Sequence, residues 1–310
     1  MLRCASSSKT KKLRRLSPGD RVRLVSPAST PTHDGVERAR SVLEGFGLKV
    51  EIGRHILDAY GYLAGRDEDR LSDINEALRN PEVRAVIATR GGRGAYRIAD
   101  GLDFDALRAD PKPIVGFSEI TILHLAAWLY AGVPGIHGAC WDAERFGEAS
   151  AGSIRDALMG AEPTTIHANT EEPTASLTTT GRANGVLLGG NLDMIATAAG
   201  WTLPNLNGAI LLTEAVQMGL GQLDRSLTRL IKSGALAGVQ GIAIGQFTGF
   251  KASHGWGAAD VLRDRLAPLG IPILGGLPLG HGSGPTAVPV GVEAELDADA
   301  GTLTAASAFA

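Results

Sequence analysis

The chain has little cysteine, little aromatic content and no long apolar run, and each shortage closes off a class of protein. Two cysteines in 310 residues, Cys4 and Cys140, cannot build a disulfide framework, so a small secreted scaffold is excluded and a reducing cytoplasm is the expected compartment. No stretch approaches the roughly 20 apolar residues of a bilayer-spanning helix, and no membrane association is expected. The basic head M-L-R-C-A-S-S-S-K-T-K-K-L-R-R lacks the apolar segment that a secretory signal carries after its charges. No His or Cys pair has zinc-ligand spacing, so no metal is expected. What is present is ordinary: 44% hydrophobic and 20% charged residues mark a soluble globular chain.

Charge is unevenly spread. The net charge is −3, yet Arg3, Lys9, Lys11, Lys12, Arg14 and Arg15 crowd the head without an acid, and removing those six charges from −3 leaves −9 for the remainder. A body that acidic is a poor nucleic-acid binder, because phosphate contacts need clustered Lys and Arg. Residues 1–17 are expected to form a disordered tail.

From residue 19 short β-branched runs alternate with amphipathic ones. Arg21 to Ser26 reads as a strand, and Val36, Ala39, Leu43 and Phe46 then share one helical face closed by Gly47. A strand at 48–52, a helix carrying Leu71, Ile74 and Leu78 and stopped at Asn80-Pro81, and a strand at 83–89 follow. Pro113 to Phe117 is a further strand, and 120–130 is apolar enough for a buried helix. This alternation predicts a mostly parallel sheet with right-handed crossovers. Near residue 161 Thr, Pro and Asn replace helix signals, which marks a boundary. The expected organisation is a nucleophile-bearing α/β domain at 18–160, a linker at 161–185 holding strands and loop, and a second domain at 186–310. In the second domain, 209–213 and 241–247 read as strands, separated by a helix with Leu223, Leu227, Leu230 and Ile231 on one stripe. The last two strands are joined by the turn D-A-D-A-G.

Chemistry gathers at a few positions. Ser118, in P-I-V-G-F-S-E-I, stands where a strand meets a helix, at the edge where open α/β sheets bind ligands and a helix N-terminus offers N–H donors to an oxyanion. A helix-capping serine fits the same position. Arg90-Gly91-Gly92-Arg93-Gly94 ends a buried strand, and its glycines allow main-chain N–H groups to approach a substrate; a tight turn fits as well. The loop is neither a G-x-G-x-x-G fingerprint nor a P-loop, so no cofactor is expected. Among seven histidines, His124 falls in the apolar helix, His137 (G-I-H-G) ends a short strand that can line the same edge as Ser118, and His281 (L-G-H-G) is flanked by glycines that let its imidazole reach into a cleft. Glu214, at the end of an apolar strand, needs a partner such as an imidazole N–H. Cys140 has nothing nearby to lower its thiol pKa and is not expected to act as a nucleophile.

Taken jointly the segments resemble the LD-carboxypeptidase family, the S66 serine peptidases, which includes the microcin C immunity peptidases. The resemblance runs through G-D-R-V-R-L-V-S-P-A-S, L-A-G-R-D-E-D-R-L-S-D-I-N, A-T-R-G-G-R-G-A-Y-R, G-F-S-E-I-T, L-L-G-G-N-L, L-L-T-E-A, L-D-R-S-L-T-R-L and L-G-H-G, nearly the whole chain beyond the basic head. It implies a two-domain α/β fold: an N-terminal Rossmann-like parallel sheet, a C-terminal α/β domain with a mixed sheet, and the site in the cleft between them. It further implies Ser118 as nucleophile, His281 as base and Glu214 as the acid orienting it, with an oxyanion hole from the backbone N–H groups of Gly92 and Glu119. Gly91, Arg93 and Asn191 are the expected substrate contacts. The implied substrate is a murein tetrapeptide losing its terminal D-Ala, with a peptide-nucleotide of the microcin type as the alternative, for which Trp141 or Trp201 would stack on the base. A non-catalytic small-molecule or nucleotide binder leaves Glu214 and His281 without a role. A homodimer is implied, as in the family. Two positions depart from its pattern: Glu119 stands where aspartate is usual, and Ala215 follows Glu214 where a second acid is common.

Overall fold

Strands and helices alternate through the first half as their periodicity predicts: β1 (Arg21–Val25), α1 (His33–Gly45), β2 (Lys49–Ile52), α2 (Asp67–Arg79), β3 (Val83–Ala88), α3 (Phe104–Ala109), β4 (Ile114–Gly116), α4 (Thr121–Ala131) and β5 (Gly135–His137). The structure is a computed structural model and describes residues 10–138 and 148–310. The second half holds α5 (Glu148–Met159), β6 (Thr164–His167), β7 (Arg182–Asn191), α6 (Leu192–Ala198), β8 (Ala209–Val216), α7 (Leu220–Lys232), β9 (Gly241–Thr248), α8 (Ala258–Leu266), β10 (Ile273–Leu274), β11 (Val288–Val290), β12 (Val292–Asp297) and β13 (Thr302–Ala305). The boundaries follow local chemistry. Thr32 caps α1 by accepting from Gly35 N–H, Asp67, Glu68 and Asp69 sit in the first turn of α2 where the helix dipole favours anions, and α2 ends at the residue before Asn80-Pro81.

Two sheets result. The first has the order β11-β5-β4-β3-β1-β2, with β1 to β5 parallel and β11 antiparallel to β5. The second, β10-β9-β8-β7-β12-β13-β6, is mixed: β7 to β10 run parallel and the β12-β13-β6 side is antiparallel. Helix α4 is apolar all round because it is covered on several sides, touching β4 and β5 of the first sheet as well as β7 and α6 of the second half. Among the described residues no helix is long and apolar enough to cross a membrane.

The expected boundaries shift in three places. Residues 161–185 are more than a linker, because β6 pairs with β13 and β7 begins at Arg182, so this stretch already builds the second sheet. Within the expected second domain, β11 returns to the first sheet, and Gly291 (φ 82°) alone separates it from β12 of the second. A side chain at Gly291 would meet the Trp128 ring, which explains the glycine at this crossing. Finally, Thr10 to Ser17 are fixed in place. Leu13 and Leu16 are buried, Leu13 exchanges main-chain hydrogen bonds with Ala308 and Ala310, and Lys12 Nζ donates to Ser307 O. Burial of two leucines, worth about 1.5–3 kcal/mol each, outweighs the tendency of a charged terminus to stay in solvent.

Candidate active site

Ser118 follows β4 through Gly116 and Phe117 and adopts φ 61°, a left-handed conformation that is costly for a residue with a side chain. Among the described residues its hydroxyl caps no helix and makes no hydrogen bond, so the capping-serine reading is not what the geometry shows. A strained serine on a strand-to-helix turn, with its hydroxyl uncommitted, is the layout of a nucleophile elbow. Gly91 lies against it: a Cβ there would sit 2.9 Å from Ser118 Cβ and 3.2 Å from Oγ.

The second half contributes a buried, hydrogen-bonded carboxylate–imidazole pair. His281 Nδ1 lies 2.7 Å from Glu214 Oε2, and Asn191 Nδ2 donates to Glu214 Oε1 over 3.2 Å. Glu214 is fully buried, inside a β8 that extends to Val216 instead of ending at 213, and the β8–β9 register shifts there, a bulge that re-aims the side chain. Burial pushes the Glu214 carboxyl up, yet His281 beside it, with help from His137 and Asn191, holds it below the usual carboxylate range. The glycines around His281 have separate reasons. A Cβ on Gly280 (φ 122°) would meet Glu214 Oε2 at 2.8 Å, and one on Gly282 would collide with Gln246, whose carbonyl oxygen accepts Gly282 N–H over 2.7 Å. The imidazole also packs on Phe117, ring centroids 4.6 Å apart, so the residue before Ser118 touches the ring that Glu214 orients.

Both halves open on one cavity of about 1010 Å³, lined by Gly91, Gly92, Arg93, Phe117, Ser118 and Glu119 from the first half and by Asn191, Asp193, Gln217 and His281 from the second. That is the cleft the fold class implied. Among the described residues, the backbone N–H groups of Gly92 and Glu119 have no acceptor. Asn191 lines the cavity, and its side chain donates to Glu214 and caps α6 by accepting from Asp193 N–H and Met194 N–H. Glu119 lines the cavity, and its Oε1 accepts from Gly94 N–H at 2.6 Å and Ala95 N–H at 3.1 Å. Trp201 is not among the cavity residues and donates its Nε1–H to Thr197 O; Trp141 and Cys140 lie outside the described residues.

His137 does not reach the cavity lining. It is buried below it, its ring nitrogens have no partner among the described residues, and burial pushes its pKa down to about 4 despite the pull of Glu214. Sequence reasoning missed Gln246, which fixes the His281 loop, and Gln217, a second strained residue (φ 49°) on the cavity wall. Neither belongs to a periodic or spaced pattern. Away from the cavity, His55, Asp58 and Asp69 bring ligand-type atoms within 4.8 Å of one another; Asp58 already takes His55 Nδ1 at 2.8 Å, and an ion pair accounts for the group.

A serine on a strained turn and a carboxylate-backed imidazole line one cavity, groups of the kind a serine hydrolase uses on an α/β fold. Comparison with known proteins narrows that class. The LD-carboxypeptidase N-terminal domain matches residues 22–138 and the LD-carboxypeptidase C-terminal domain matches residues 184–296. A putative carboxypeptidase of Streptomyces coelicolor is 39% identical over 94% of each chain, and a probable murein peptide carboxypeptidase of Bacillus subtilis is 33% identical over 91% of this chain and 90% of its own. Among solved structures, the muramoyltetrapeptide carboxypeptidase from Oxalobacter formigenes superposes with a TM-score of 0.80 at 28% identity, covering 92% of this chain and 97% of that one. The chain belongs to the LD-carboxypeptidase family.

Proposed function

We propose that the protein is a serine carboxypeptidase that hydrolyses the L,D-amide bond releasing terminal D-Ala from a murein tetrapeptide through an acyl-enzyme. The observation that carries this reading is the buried Glu214–His281 pair opening, together with the strained Ser118, on one cavity. In the reaction, Glu214 accepts a hydrogen bond from Nδ1–H of His281, which leaves Nε2 unprotonated to accept the Ser118 proton as Oγ attacks the carbonyl. The free N–H groups of Gly92 and Glu119 receive the oxyanion, His281 returns the proton to the departing D-Ala amine, and water, activated by the same imidazole, releases the peptide.

The cavity wall supports an anionic peptide. Arg38, Arg90 and Arg93 line it without a carboxylate partner among the described residues, and a guanidinium is well matched to a substrate carboxylate. The microcin-type alternative has less support. Among the described residues the cavity's aromatic lining is Tyr96 and Phe117, and the likeness to the Microcin C7 self immunity protein MccF in complex with aspartyl sulfamoyl adenosine (TM-score 0.85, 21% identity, covering 97% of this chain and 100% of that one) speaks for the fold alone.

The test is D-Ala release from a muropeptide by the wild type and by Ser118→Ala. Loss of release in the variant is expected; undiminished release sinks the serine mechanism. Cleavage of an aminoacyl sulfamoyl adenosine by a wild type inert toward muropeptides moves the substrate to the other branch.

A further inference from the structure

The loop from Gly91 to Ala95 is held by side chains at nearly every peptide. Glu119 Oε1 accepts both Gly94 N–H and Ala95 N–H, the Ser29 hydroxyl oxygen accepts Arg93 N–H over 3.0 Å, and the buried Arg70 guanidinium donates to Gly94 O over 2.9 Å. Among the described residues Gly91 N–H and Gly92 N–H are the donors of this loop left without an acceptor, and Gly92 itself is pressed against Ser29, where a Cβ would have no room. The carboxylate doing most of the holding belongs to the residue immediately after Ser118, on the same rigid turn. It is 4% exposed, a costly place for a carboxyl that only solvates itself.

We infer that the Glu119 side chain is a positioning residue: it ties the Gly91–Ala95 loop to the Ser118 turn, so that Gly92 N–H and Ser118 Oγ keep a fixed separation as the oxyanion forms. The inference rests on the serine reading above and adds a role that the backbone N–H of Glu119 does not cover. Glu119 is thereby bifunctional, its own N–H facing the oxyanion and its carboxylate fixing the partner donor. What the loop needs from the side chain is an acceptor oxygen at the right reach, which an amide oxygen also supplies. Burial raises the Glu119 carboxyl to about 7, against the pull of the Gly94 and Ala95 donors, so the group is not simply a surface-like anion.

The experiment compares wild type, Glu119→Ala, Glu119→Gln and Ser118→Ala by the rate at which a fluorophosphonate, whose phosphoryl oxygen occupies an oxyanion hole, labels Ser118, read by intact mass, and by kcat and KM for D-Ala release. Loss of a well-placed oxyanion donor costs on the order of a hundredfold, and a loosened one less, so Glu119→Ala is expected to label and turn over about 10- to 100-fold more slowly with KM changed under about threefold. Glu119→Gln is expected to recover to within about fivefold of wild type, which a purely ionic role would not allow. Wild-type rates in Glu119→Ala, or a Gln variant as slow as the Ala variant, overturn the inference while leaving the serine reading standing. An unlabelled wild type, or labelling of Ser118→Ala at the wild-type rate, overturns the serine reading and this inference with it. Should Glu119→Ala fail to fold, Glu119→Leu decides: it keeps the buried volume without an acceptor oxygen, so slower labelling supports the positioning role and a wild-type rate overturns it.

Discussion

The two halves of the cleft are built from different materials. The first half presents backbone: a serine at φ 61°, two adjacent glycines and N–H groups without acceptors among the described residues, with side chains such as Glu119 and Ser29 turned to holding the main chain. The second half presents charge: a fully buried carboxylate, an imidazole bonded to it at 2.7 Å, and Asn191 and Gln246 fixing the two. A reaction that needs both a shaped oxyanion pocket and a proton acceptor can divide these demands between domains. Each half then tolerates a different kind of substitution, and the comparison breaks where that expectation fails.

The sharpest break is Glu214→Gln. The variant keeps shape and burial and loses the charge that orients and stabilises His281, so kcat for D-Ala release should fall on the order of a thousandfold or more with the fold retained. A loss under tenfold would show that the second half also acts mainly by shape.

Why one half was more legible than the other follows from the same contrast. The order β1 to β5 and the α4 helix were readable because buried parallel strands leave apolar runs and amphipathic helices leave a stripe, as with Val36, Ala39 and Leu43. Glu214 and His281 were readable as chemistry out of place, a carboxylate at the end of an apolar strand and a histidine between glycines. The return of β11 to the first sheet was not, since three residues ahead of a glycine carry no sign of which sheet they join. The helices α6 and α8, of 7 and 9 residues, are too short to fix a periodicity. Residues 10–17 misled because charge dominates composition there, while the two leucines that anchor the segment are only two positions among many. The carboxylate of Glu119 was hidden for another reason: its partners are main-chain N–H groups 24 and 25 residues away, and backbone partners have no sequence signature.

The next break concerns pH. A carboxyl raised in the folded state keeps a proton that the unfolded chain has lost, so its contribution makes stability fall as pH rises from the unfolded value near 4.5 through about 7. The neighbouring Asp193 pushes in the same direction as burial. Glu119→Gln removes that titration, and the stability of the variant relative to wild type should grow across this window by on the order of 3 kcal/mol, read from denaturant melts at pH 4.5 and 7.5. His124 and His137, pushed down by burial to about 3 and about 4, act with the opposite sign, their stability being lost as pH falls below 6.5, and they cancel in the difference between the two proteins. A difference that stays flat with pH would mean that the first half holds an ordinary carboxylate, and the contrast with Glu214 would narrow.

The smallest break is a single methyl. Gly91→Ala adds no charge and removes none, and its Cβ would stand 2.9 Å from Ser118 Cβ, closer than side chains approach, so either the Gly91 peptide or the Ser118 turn must move by a few tenths of an ångström. Neither has much freedom: Ser118 is at a strained φ, and the loop is held through Arg93, Gly94 and Ala95. Displacement of a nucleophile and its oxyanion donor relative to each other should lower kcat about 10- to 100-fold, with the Glu214–His281 pair and the melting temperature nearly unchanged. The charge-based second half offers a comparison of equal size: Asp193, on the cavity wall but outside the Glu214–His281 pair, loses its charge in Asp193→Asn and with it the push it exerts on the Glu119 carboxyl. If Asp193→Asn were to cost as much in kcat as Gly91→Ala, electrostatics would extend across the cleft, and the division between a backbone half and a charge half would no longer describe the site.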